Sequence, residues 1–98
     1  MRFEWDNDKN DENQHKHQLS FELASEVFSD PFHILNDDLE FEGEERYWAI
    51  GCLQNQVVVI VVHTYRVELE DGLEEIIRII SARKATPRER AFYEEETK

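Results

Sequence analysis

Ninety-eight residues, 40% of them hydrophobic, suffice for one domain with a modest core, and six Phe, two Trp and three Tyr argue against global disorder. A formal net charge of −12 argues against nucleic acid as a general partner and for a basic protein, unless the charge is divided between faces. The lone Cys52 excludes an internal disulfide and fits a reducing cytoplasm, the acidic start (Glu4, Asp6, Asp8) does not read as a signal peptide, and the longest apolar run, residues 57–62, is too short to cross a bilayer.

Residues 2–5 read as a short strand with Phe3 and Trp5 to one side. Asp6 then caps a polar helix reaching about His17, with Lys9, Asn13 and Lys16 on one face. Lacking an apolar stripe, this helix is expected on the surface or against a partner. Ser20 caps a second helix, whose Phe21, Ala24, Val27 and Phe28 recur at helical spacing until Asp30-Pro31. A strand over residues 32–35 and an acidic loop over 36–45, turning at Gly43, follow. Residues 46–53 form a strand, and Gln54-Asn55 turns the chain into 57–65, which is apolar on both faces as a central strand is. The acidic stretch 67–75 contains Asp71-Gly72, a turn signal leading into a strand at 76–82. The fold class is α+β: a small antiparallel sheet of three to four main strands plus a short N-terminal strand, two N-terminal helices and one C-terminal helix. Residues 94–98 are expected to fray.

Residues 76–93 organise the chain. Four isoleucines in five positions suit a buried strand. Thr86 as N-cap, Pro87 at the first helical position and Glu89 closing a capping box start a helix. Around that junction lie Arg78, Arg83, Lys84, Arg88 and Arg90 against the single acid Glu89, a local balance of +4. The remaining six basic and twenty-two acidic residues carry −16, so the segment is a cationic island in an acidic protein.

Phe3-Glu4-Trp5-Asp6, Lys9, Asn13, Lys16-His17, Ser20-Phe21-Glu22, the stretch from Val27 to Pro31, Gly43-Glu44-Glu45-Arg46, Ile50-Gly51, Val62-His63-Thr64 with Arg66, and the run from Arg78 to Thr86 with Glu89, Arg90 and Tyr93 stand in a characteristic order. In that order and spacing the chain resembles the BrnT-type toxins of bacterial type II toxin–antitoxin systems. The resemblance implies a RelE-like fold, a ribonuclease that halts translation, and a neutralising ribbon-helix-helix (BrnA-type) antitoxin.

RNA is cut without metal when its own 2′-OH attacks the adjacent phosphate, which needs a base, an acid and cations for the phosphorane. Arg83, Arg78 and Arg90 are the candidate catalytic cations, and the planar fork of Arg suits two phosphate oxygens at once. Glu89, Tyr93 and His17 are the candidate proton-handling groups, although Glu89 also has a capping role and Tyr93 equally suits core packing. Lys84, Arg66, Lys16 and Arg88 complete the set as RNA-binding cations. Each of these basic residues has the plainer alternative of pairing with a surface carboxylate. His63, flanked by apolar residues, reads as a core histidine, and no metal site or cofactor is expected. The expected partners are the antitoxin and an RNA substrate, with DNA reached only through the antitoxin, no membrane, and a homodimer as a further assembly of the chain alone. The alternative function is a weakly active or inactive antitoxin-binding module whose complex represses its own promoter. The acids Glu68, Glu70, Asp71, Glu74 and Glu75 favour it, because they oppose RNA binding.

Overall fold

The computed structural model describes residues 1–41 and 43–97, with backbone only for residues 37–41. Two positions within the expected elements, Glu42 in the acidic loop and Lys98 in the tail, lie outside the described residues. The described residues form β1 (Arg2–Glu4), α1 (Asn7–His17), α2 (Phe21–Ala24) running into a 3-10 helix (Ser25–Ser29), β2 (Ile34–Phe41), β3 (Glu44–Cys52), β4 (Val58–Glu68), β5 (Glu74–Lys84) and α3 (Pro87–Glu96). The strand order is β1-β5-β4-β3-β2, so the apolar β4 is the middle strand.

The sheet is mixed, not antiparallel throughout. Strands β2 to β5 form an antiparallel meander, but β1 joins the far edge parallel to β5, with Arg2 opposite Ile76 and Glu4 opposite Arg78. Three other expectations need correction. The stretch expected as an acidic loop over 36–45 is largely strand, because β3 supplies pairing partners for residues 34–36 and, past a register shift, 39–41, and cross-strand hydrogen bonds outweigh an unfavourable composition. The second helix tightens after Ala24 into 3-10 geometry. Residues 94–96, expected to fray, continue α3, and the Thr97 hydroxyl donates back to Tyr93 O at 2.8 Å. Among the described residues no helix is long and apolar enough to cross a membrane.

One face of the sheet is covered by the N-terminal helices. Val59, Val61, Ile77 and Ile79 pack there against Leu19, Phe21, Ala24 and Val27, with Phe3 and Trp5 at the margin. The polar helix α1 lies against β5, and Asn13 fastens it there. Asn13 is buried, its Nδ2 donates to Leu19 O and Ala82 O (both 2.8 Å), and its Oδ1 accepts from Ala82 N at 3.2 Å. β1 pairs with β5 only as far as Arg78, and beyond that point the Asn13 amide supplies the partners of the Ala82 backbone. His63 is buried among Phe28 and Tyr47, and burial pushes its pKa down, as suits a core histidine.

Gly51 sits where β3 passes the 3-10 helix. A Cβ built there would lie 2.9 Å from Val27 Cγ1, 3.1 Å from His33 Cβ and 3.3 Å from Asp30 Oδ2. Gly51→Ala is therefore expected to lower stability by about 1–3 kcal/mol, measured by urea unfolding, because a packed core yields poorly to an added methyl. Unchanged stability would mean that the 3-10 helix can retreat from the sheet.

Candidate active site

The opposite face of the sheet is only partly covered. Strand alternation directs Trp48, Ile50, Ile60 and Val62 to it. α3 crosses one end, where Tyr93 packs on Ile50, Val58 and Ile60. The approach is fixed by Asp30, whose Oδ2 accepts from the Tyr93 hydroxyl at 2.5 Å and from Cys52 N at 2.8 Å. Partial burial raises the Asp30 pKa, but hydrogen bonds from Tyr93, Cys52 and Phe32 outweigh it and hold the carboxyl below its usual range. Burial, with the Asp30 bond, pushes the Tyr93 phenol well up.

Beside α3 a cavity of about 570 Å³ opens, lined by His17, Trp48, Ile50, Ile60, Val62, Ser81, Ala82, Arg83, Arg88, Glu89 and Phe92. A β-bulge decides which β5 residues reach this face. Ser81 pairs with Val62 and Ile79 with His63, leaving Ile80 as the extra residue. Without it, Arg78 and Arg83, five positions apart, would point to opposite faces. With it, Arg78, Ser81 and Arg83 share one.

Arg83 is held rigidly. Its Nη1 and Nη2 donate to Glu89 Oε1 and Oε2 at 2.7 and 2.9 Å, and Glu89 Oε1 also accepts from Thr86 N at 2.9 Å within the capping box. The Arg83 guanidinium, followed by burial working the other way and the Thr86 amide, holds the Glu89 carboxyl at about 2. A carboxylate so stabilised is a poor proton acceptor at neutral pH. Nη1 donates in addition to Lys84 O at 3.4 Å, and the Nε–H and the second Nη2–H of Arg83 lie outside these bonds, where they can meet an anion.

A depressed folded pKa means that Glu89 contributes stability above the ordinary carboxylate range, and this is lost as pH falls toward about 2. Glu89→Gln should therefore flatten the decline of the thermal midpoint on acidification below about pH 4.5, relative to the parent. An equal decline in both proteins would show that Arg83 gains little from Glu89 in solution. The effect is modest, since the Glu89 side chain is 30% exposed.

Of the ten residues named from the sequence, His17, Arg83, Arg88 and Glu89 converge on the cavity. Lys16 lies in a shallow groove that adjoins it through His17 and Ser81. Arg78 and Arg66 are on the same face but farther along, engaged by carboxylates. Glu4 takes Arg66 through both oxygens (2.6 and 3.2 Å) and Arg78 at 3.5 Å, while Glu68 takes Arg66 at 3.2 Å. Arg2 joins the same network through Glu68 and Glu74, at 3.8 and 3.5 Å. Tyr93 is buried beneath α3, and Lys84 and Arg90 are exposed without lining the cavity. Trp48, Ser81 and Phe92 escaped notice in the sequence. The alternation of Arg46, Trp48 and Ile50 was a usable signal for the first, and the four-residue spacing of Arg88 and Phe92 for the last. Among the described residues no three His, Cys, Asp or Glu side chains converge as metal ligands do.

Residues 5–89 match the family model described as the ribonuclease toxin BrnT of type II toxin–antitoxin systems. No curated protein matches the chain. Among solved structures, the chain is similar to the Brucella abortus ribonuclease toxin BrnT, with a TM-score of 0.61 and 24% identity, over 88% of this chain and 97% of that one. At that identity the likeness carries the fold alone.

Proposed function

The chain belongs to the BrnT family of ribonuclease toxins of type II toxin–antitoxin systems, and from that membership we propose that it is a metal-independent endoribonuclease that cleaves mRNA and arrests translation. The family implies an antitoxin partner. We read that partner as a ribbon-helix-helix protein, the fold as RelE-like, the chain as one toxin domain, and its place of action as the cytoplasm. The observation that supports the catalytic reading best is the convergence of Arg83, Arg88 and His17 on one open cavity in a protein of net charge −12.

In this reading the scissile phosphate lies against the free N–H groups of Arg83 and the Arg88 guanidinium. His17 accepts the 2′-OH proton as the 2′-oxygen bonds to phosphorus. The P–O5′ bond breaks, the departing oxygen takes a proton from solvent, and the products are a 2′,3′-cyclic phosphate and a 5′-hydroxyl. The arginines stabilise the added charge of the phosphorane. Glu89 acts here as a positioning residue: it fixes the Arg83 fork. Lys16, Lys84 and Arg90 contribute to the approach of the strand, and Arg66 and Arg78 do so when released from Glu4. Tyr93 supports α3 through its bond to Asp30.

Incubation with a long unstructured RNA at low salt in EDTA, followed by end-group analysis, tests this. Cyclic or 3′-phosphate ends support it, and absence of cleavage both alone and on translating ribosomes would sink it. A second reading, an antitoxin-binding module with little catalysis, is favoured by one observation: carboxylates of Glu4 and Glu68 already occupy Arg66 and Arg78.

A further inference from the structure

The Arg83–His17 end of the cavity accounts for a phosphate and a ribose hydroxyl, but most of the lining is apolar. Trp48, Ile50, Ile60 and Val62 form the floor, and Phe92 forms part of the α3 wall. Phe92 is 44% exposed, although Tyr93 beside it is buried to 8%. An aromatic left partly open at the rim of a cavity, with a second aromatic on the floor, provides two ring surfaces to an occupant. Arg88 precedes Phe92 by one helical turn, so the two side chains share one face of α3, and both line the cavity. Among the described residues the one acidic side chain lining the cavity, Glu89, is occupied by Arg83, so that the described lining carries a formal +1 from two arginines against one carboxylate. The Ser81 hydroxyl adds one polar group to the floor.

We propose that this apolar half is a receptor for a single unstacked nucleobase, held by Trp48 and Phe92 while Arg83 and Arg88 hold the adjoining phosphate. The juxtaposition selects this occupant: stacking on aromatic rings requires a flat apolar face, and the neighbouring cations require an anion one bond system away. A nucleotide in single-stranded RNA supplies both. A base paired in a duplex supplies neither face, so the substrate class is unpaired RNA. The assignment rests on the ribonuclease reading for the identity of the strand, and the cavity volume of about 570 Å³ falls within the range of ordinary ligand pockets.

The test uses an uncleavable strand, so that binding is read apart from chemistry. Fluorescence anisotropy would compare a short 2′-deoxy oligonucleotide with a strand of equal length carrying abasic sites throughout, each titrated with parent, Phe92→Ala and Phe92→Tyr. The parent is expected to bind the base-bearing strand more tightly. Phe92→Ala should weaken that binding about tenfold and leave the abasic strand unaffected, and Phe92→Tyr should restore it. Equal loss on both strands, no loss on either, or no binding of any strand by the parent overturns the proposal. The two readings fail separately. Cleavage of RNA undiminished by Phe92→Ala removes the base receptor and keeps the nuclease. Base-dependent binding with no cleavage under any condition does the reverse.

Discussion

Arg83→Ala should reduce RNA cleavage by at least about 100-fold while the fold persists. The magnitude follows from the removal of one preorganised donor aimed at developing charge, which typically costs about 10²–10³ in rate. Two things are lost together. The phosphate loses its rigid guanidinium, and Glu89, freed from its partner, presents an unpaired carboxylate to the incoming anion. The Arg83 side chain is 43% exposed and its ion pair lies at the surface, so stability should fall by only about 0–1 kcal/mol. Arg83→Lys should recover part of the charge but not the fork, and so sit between parent and alanine variant. Glu89→Gln should be far milder than Arg83→Ala, because it loosens the arginine without removing it. Initial rates on one RNA, with thermal midpoints as the control for folding, decide the matter. Parental rates for Arg83→Ala would place the scissile phosphate elsewhere.

The second large effect concerns Asn13→Asp. Asn13 is 7% exposed and donates from one amide nitrogen to two carbonyls, Leu19 O and Ala82 O. Aspartate keeps the shape and the acceptor for Ala82 N, but it has no donor when ionised and turns a buried charge toward two oxygens. That should cost roughly 3 kcal/mol or more at neutral pH, a large part of the stability of a domain this size. The pH dependence identifies the cause. The folded state would raise the pKa of the new carboxyl, so the destabilisation is full above that value and shrinks as pH falls and the group protonates. Asn13→Ala, which leaves the β5 backbone unpartnered without adding charge, should cost about 1–3 kcal/mol and show no such recovery in acid. Urea unfolding at pH 7 and pH 4.5 separates these expectations. Equal stability of Asn13→Asp and parent at pH 7 would mean that α1 is not docked through this amide. Because His17 ends the same helix, the variants should also lose cleavage.

What could be read in advance depended on how local the determinant was. The cap of α3 needs only Thr86, Pro87 and Glu89, and it stands as read. The cap of α1 by Asp6 and the central position of β4 were legible for the same reason. The parallel pairing of β1 was not, because nothing near Arg2 announces Ile76. The strand character of residues 36–41 was hidden by their acidity, since pairing with β3 supplies the favourable term. In the candidate site, the spacing of Arg78 and Arg83 read directly would have separated them, and only the bulge at Ile80 brings them to one face. The capture of Arg66 by Glu4 joins positions that are close only in three dimensions. Asn13 looked like a surface residue on a polar helix. Its burial follows from a need of the β5 backbone, which no side-chain pattern reveals.

The pairing of Arg2 with Ile76 bears on synthesis. A nascent chain that has not yet delivered residue 76 has a first strand with no strand to lie beside and a sheet lacking β5. Such a chain also lacks Arg83, Arg88 and Glu89, so three of the four converging residues follow the strand that completes the edge. Contacts of such long sequence separation form late and slowly. An interrupted translation product therefore carries neither the finished scaffold nor the cationic rim.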